Sequence, residues 1–170
     1  LRGASGCGKT TLLRLLAGLE RPSSGRIVGL ENARVAVCFQ EDRLLPWCTA
    51  LENVTFACGD AERAREMLCQ FGLADCLDSR PMQMSGGQQR RVALARALSV
   101  DADLLLLDEP FTGMDAVTWG LVVPMIETFA KTRTVVLVTH IIEEAQALSA
   151  DVVELGSTPL SGNLCVRNDG

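Results

Sequence analysis

Long apolar runs are missing from this chain. The longest purely aliphatic stretches, Leu104 to Leu107 and Val135 to Val138, fall far short of the ~18 apolar residues a bilayer-spanning helix needs. Basic excess is missing too: 16 Lys and Arg face 21 Asp and Glu, a formal charge of -5. That balance argues against a surface that holds nucleic acid mainly by counterion release. No CxxC pair occurs among the seven cysteines at positions 7, 38, 48, 58, 69, 76 and 165, so neither zinc spacing nor a redox motif is present. Small buried hydrophobes in a reducing cytosol are the expectation for them. Neither internal repeats nor low-complexity linkers appear, and no basic stretch followed by an apolar one marks a secretory signal. The first residue is Leu1, and the N-terminus is expected to be missing.

What is present suits one globular domain. With 48% hydrophobic and 22% charged residues in 170, disorder, collagen and coiled coil are excluded. Leucines at 12, 13, 15, 16 and 19 follow helical spacing and predict a buried helix over Thr10–Leu19, ended by Gly18 and Pro22. Val35–Phe39, Leu104–Leu107 and Val135–Thr139 read as strands buried on both faces, which places them in a parallel sheet. Ala61–Phe71 and Gln88–Leu98 read as helices, the second introduced by Ser85-Gly86-Gly87-Gln88 in the form of a capping box. Alternating strands and helices predict an α/β fold.

Gly3-Ala4-Ser5-Gly6-Cys7-Gly8-Lys9-Thr10 fits G-x-x-x-x-G-K-[ST] without a mismatch, and a leucine-rich helix follows it at once. Glycines permit a tight loop of inward N–H groups, the helix start adds positive dipole, and Lys9 supplies a point charge for phosphate. The Thr10 hydroxyl suits Mg²⁺. The strand Leu104–Leu107 ends abruptly in Asp108 and Glu109, two carboxylates at the carboxyl edge of the sheet where open α/β folds bind ligands. Asp108 is suited to hold Mg²⁺ through water and Glu109 to act as general base toward an attacking water. Gln40 and His140, the only histidine, follow two other strands and project from the same edge. Ser85 to Gln88, ahead of a helix N-terminus, form a second anion-binding device, which suggests that another copy completes the site.

On these motifs the chain resembles the nucleotide-binding subunit of an ATP-binding cassette transporter. Gly3 to Thr10, with Thr11 behind, is similar to Walker A, Gln40 to the Q-loop glutamine, and Met84 to Gln88 to the LSGGQ signature with Met in place of Leu. Leu104 to Glu109 resembles Walker B with its catalytic glutamate, Phe111 to Asp115 the D-loop, and His140 the switch histidine. The resemblance runs from Leu1 to about Leu155. It implies a P-loop NTPase core with a mainly parallel sheet and a small helical signature subdomain at about 44–98, the whole of 1–170 being one ATP-binding domain. It also implies ATP and Mg²⁺ as cofactors, with Gln40 among the Mg²⁺ ligands and Glu109, His140 and Gln40 as the catalytic set. Nucleotide contacts would come from the Walker A residues and from Ser85, Gly86, Gly87, Gln88 and Asp115.

Two such subunits would sandwich ATP head to tail on the cytoplasmic face of a bacterial inner membrane. Phe39 to Trp47 and Ala50 to Val54 resemble the nitrate, sulfonate and taurine importer branch, so Leu44–Trp47 is the expected docking surface for membrane permease subunits. An extracytoplasmic solute-binding protein would take part indirectly.

Departures from the pattern carry expectations of their own. Strands before the phosphate loop and an upstream adenine-stacking aromatic are absent, and the chain has no tyrosine at all, so it reads as truncated, with a weakly anchored P-loop and weakened ATP binding. About 45 positions separate Gln40 from Ser85, a small helical interval that suits a compact importer. Past Leu155 the pattern is weak. The competing class is a soluble cassette ATPase acting on ribosomes or nucleic acid. The interval has no heptads and the charge is acidic, and both disfavour it.

Overall fold

A computed structural model describes residues 1–4 and 6–155 of the chain. Three short strands, β1 (Val35–Cys38), β2 (Leu104–Asp108) and β3 (Thr134–Val138), lie in the order β1-β2-β3, all parallel. The register pairs Val35 with Leu104 and Leu104 with Thr134, so all three strands end on the same edge. Helices α1 (Lys9–Leu16), α2 (Ala50–Cys58), α3 (Ala61–Gln70), α4 (Gly86–Ser99), α5 (Ala116–Ala130) and α6 (Ile142–Ala147) complete the α/β arrangement.

Side-chain alternation along β2 divides the core in two. Leu105 and Leu107, with Ala36, Cys38 and Leu137, join one cluster with α2, α3, α4 and α5. Leu104 and Leu106 face the other way, onto Leu13 of α1 and Val138. Every residue of β2 is buried, as a central parallel strand requires. The expectation of burial on both faces is not met in β1 and β3, whose Val35, Val37, Val135 and Val136 are half-buried. The helix after the phosphate loop is likewise not buried: only Leu13 is, while Leu12, Leu15 and Leu16 are half-buried and Leu19 is 62% exposed. Among the described residues, eight-residue α1 is the only helix in that second cluster and presents one side to β2.

The backbone leading into the phosphate loop is held on both sides. Leu1 donates to the Leu137 carbonyl and accepts from Thr139 N–H (3.2 Å), while Arg2 exchanges bonds with Val153 (2.9 Å) and Leu155 (2.7 Å). The weak anchoring expected from the sequence is therefore not found at Leu1 and Arg2. The cysteine expectation holds for Cys38 and Cys76, which are buried. Cys7, Cys48 and Cys58 are half-buried and Cys69 is exposed, all six as free thiols, and Cys165 lies outside the described residues.

Candidate functional site

The glycine pattern of the phosphate loop becomes a set of backbone turns. Gly6 and Gly8 adopt φ of 80° and 97°, values that side chains with a Cβ rarely adopt. Gly8 caps α1 without a side-chain bond, so the first-turn N–H groups of the helix keep free capacity toward an anion. Lys9 folds back over its own loop, its Nζ donating to the carbonyls of Gly3 (2.8 Å) and Ala4 (2.9 Å) and lying 3.8 Å from Cys7 Sγ. The ammonium is thereby held against the loop's own carbonyls. Thr11 is exposed in the first turn of α1, and Ser5 lies outside the described residues.

Gly3 is required for a different reason, close approach. A Cβ there would stand 2.6 Å from Cys7 Sγ and 2.8 Å from the Leu155 carbonyl oxygen. Overpacking of this kind costs about 1 to 3 kcal/mol, and each kcal/mol lowers the Tm of a chain this size by ~2 to 4 °C. Gly3→Ala is therefore expected to melt several degrees below the parent and to bind nucleotide more weakly. Thermal melts with and without ATP check both, and an unchanged melt would show that the loop accommodates the methyl.

Strand ends supply the rest. Thr10 Oγ1 donates to Asp108 Oδ2 at 2.9 Å, closing the loop onto the end of β2. Burial pushes the Asp108 carboxyl above its ordinary range, the Thr10 hydroxyl draws it back down, and neighbouring Glu109 raises it again. Glu109 turns the chain sharply with φ of 47°, a left-handed conformation that costs a non-glycine residue ~1 to 2 kcal/mol. It is held there by its N–H on the Val138 carbonyl (2.9 Å) and by Arg90 on its own carbonyl (2.8 Å). Glu109 Oε1 lies 3.2 Å from His140 Nδ1; the carboxylate is mostly covered and the imidazole exposed. The structure thus brings Lys9, Thr10, Asp108, Glu109 and His140 together. Gln40 follows β1 at this same edge with its side chain exposed.

Other expected residues stand apart. Ser85 and Gln88 form the capping box read from the sequence: Ser85 Oγ accepts from Gln88 N–H (3.2 Å) and Gln88 Oε1 from Ser85 N–H (2.8 Å). Ser85 and Gly86 are exposed, and no atom would meet a Cβ at Gly86 or Gly87 within 4 Å. Asp115 caps α5 by accepting from Thr118 N–H at 2.7 Å, a bond that draws its carboxyl below the usual range. The side chains of Ser85, Gln88 and Asp115 make no hydrogen bond to the phosphate loop among the described residues. Sequence reasoning passed over Arg90, a buried guanidinium reaching carbonyls from both strand ends. No local pattern distinguishes it from its neighbour Arg91.

Residues 1–112 match the family described as ABC transporter. Among curated relatives, the chain is 45% identical to the aliphatic sulfonates import ATP-binding protein SsuB 1 of Xanthomonas axonopodis pv. citri, over 94% of this chain and 70% of that one. It is also 45% identical to the SsuB 1 of Rhodococcus jostii, over 95% and 69%. Among solved structures, the dimeric MJ0796 bacterial ABC transporter cassette superposes with a TM-score of 0.81 at 29% identity, over 92% of this chain and 79% of that one. The same cassette in a post-hydrolysis state bound to ADP and Pi gives 0.75 at 31% identity, over 86% and 75%. A phosphate loop bonded to a carboxylate strand end, on a parallel sheet that superposes on such cassettes, leaves one assignment: the chain belongs to the ABC transporter family, as an ATP-binding and ATP-hydrolysing cassette.

Proposed function

We propose that this cassette drives import of aliphatic sulfonates, or of a small solute like them, by hydrolysing ATP at the carboxyl edge of its sheet. The observation that carries the hydrolysis is the Thr10–Asp108 bond, which joins the phosphate loop to the strand end bearing Glu109, while the solute rests on the 45% identity to a protein named for aliphatic sulfonate import. Gly3 to Thr10 wrap the phosphates and Lys9 neutralises their charge. Glu109 takes the proton of the water that attacks the γ-phosphorus, with one carboxylate oxygen oriented by His140. The donor set at Thr10, Asp108 and Gln40 is all oxygen and suits Mg²⁺, which takes a few protein oxygens beside phosphate and water. When bound, Mg²⁺ would neutralise charge that builds on the phosphate oxygens.

The exposed signature, Ser85 to Gln88, and Asp115 act on the ATP held by a second copy, arranged head to tail. The helical stretch at about 44–98 acts as the subdomain that meets the permease subunits. Leu44 and Leu45 are half-buried, but Trp47 beside them is 68% exposed, with Phe56 and Met82 also open to solvent. Asn53 stiffens this corner, accepting from Leu45 N–H (2.8 Å) and donating to the carbonyls of Leu45, Cys48 and Thr49. An extracytoplasmic binding protein would deliver the solute, and the cassette would sit peripherally on the cytoplasmic face of the inner membrane.

Uptake tests the reading. In cells lacking their own copy of this gene, the intact protein is expected to restore growth on an alkanesulfonate as sole sulfur source. Restored ATPase activity without uptake of any sulfonate would reject the solute.

A further inference from the structure

Arg90, in the second turn of α4, is 5% exposed and spends all its N–H groups on oxygen. Its Nε donates to the Pro110 carbonyl at 3.0 Å, and its Nη2 to the carbonyls of Asp108 (3.0 Å) and Glu109 (2.8 Å). On the other side, Nη1 reaches the carbonyls of Phe39 (2.6 Å) and Gln40 (3.2 Å) and the Asp42 carboxylate (3.1 Å). A guanidinium has five N–H donors in one rigid plane, and here one plane ties the turn after β1 to the turn after β2.

We propose that Arg90 is a positioning residue for hydrolysis, locking the backbone of Asp108-Glu109-Pro110 to that of Phe39-Gln40. This rests on the reading of Glu109 as the base. Two features make the lock consequential. Glu109 occupies a left-handed conformation that its neighbours must maintain, and Arg90 bonds the carbonyls on both sides of it and its own. Arg90 also belongs to the helix that begins at Ser85, so displacement of that helix carries both strand-end turns with it. Arg91, the next residue, instead bonds the Phe71 and Gly72 carbonyls at the end of α3, away from either turn. Lysine in place of Arg90 would keep the charge but offer a single point of attachment, so the two turns would lose their common plane.

Arg90→Lys is expected to lower ATP turnover ~10- to 100-fold, the scale of an ångström-sized misplacement at a reacting centre. Affinity for a fluorescent ATP analogue should stay within about 2-fold, because among the described residues none of Arg90's hydrogen bonds goes to the phosphate loop and ground-state binding is spared. In a Glu109→Gln background, the same substitution should change residual turnover by less than about 2-fold, since the group it positions is already disabled. If Arg90→Lys does not yield folded protein, Arg90→Gln, which keeps two N–H donors, carries the same comparison. Turnover retained in Arg90→Lys, a turnover loss matched by equal loss of affinity, or losses that multiply with Glu109→Gln would each overturn the proposal. A Glu109→Gln protein that still hydrolyses ATP would instead overturn the base assignment, and this proposal with it.

Discussion

Turnover by Glu109→Gln is expected to fall by about 10²- to 10⁴-fold, the usual contribution of a positioned general base, while ATP binding survives. The amide keeps the size of the carboxylate and can still meet His140, 3.2 Å away, but it cannot accept the proton of the attacking water. The left-handed turn at 109 is set by the backbone, through Val138 and Arg90, and does not depend on the charge. Nothing in the phosphate loop changes. Because hydrolysis would normally release the nucleotide, a nucleotide-bound dimer of the variant should persist. Phosphate release and gel filtration with ATP present measure the two halves of this expectation, and near-normal turnover would remove Glu109 from the role of base.

Lys9→Ala should act earlier, on binding itself. Its ammonium already sits against the Gly3 and Ala4 carbonyls, so it meets phosphate in the ground state as well as in the transition state. A hydrogen bond to a charged group contributes about 1.5 to 3 kcal/mol, so affinity should drop roughly 10- to 150-fold. Ser85→Ala should differ in kind. Its hydroxyl caps α4 and lies exposed, so ATP binding to the isolated subunit should be spared while hydrolysis in the assembled pair suffers. A mixed dimer with Lys9→Ala in one subunit and Ser85→Ala in the other leaves one composite site intact and damages the second twice. If Ser85→Ala alone weakened ATP binding to monomers as much as Lys9→Ala, the head-to-tail arrangement would be wrong.

Local signals explain which parts of this site were legible in the sequence. The phosphate loop, the strand running into Asp108 and Glu109, and the Ser85–Gln88 box are contiguous, and each needs only its own neighbours to form. Thr49-Ala50-Leu51-Glu52 has the same capping-box form and starts α2, where both reciprocal bonds are made (3.1 and 2.7 Å), a helix absent from the expectations above. Helix α5 was obscured by Gly120 and Pro124, poor helix residues within a sequence apolar on all sides. Packing holds it in place: Val122, Ile126 and Phe129 join the core cluster, and Trp119 meets Phe111 edge to face at 5.2 Å. Arg90 was illegible because its partners lie some 18 to 51 positions away. The leucines of α1 misled in the opposite direction, since periodicity marks an apolar face without saying what covers it.

Distance along the chain has a last consequence, for how the protein persists. Thr10 and Asp108 are 98 positions apart, Arg90 and Phe39 51, and Glu109 and His140 31. No local fragment can assemble these groups, so the pocket exists only once the parallel sheet has closed. ATP is accordingly a ligand of the folded state alone, and at a hundred times its Kd it adds ~2.7 kcal/mol to the free energy of unfolding. Substrate therefore acts as a chaperone by mass action, and a defect in the phosphate loop would reduce the amount of subunit in the cell as well as its rate.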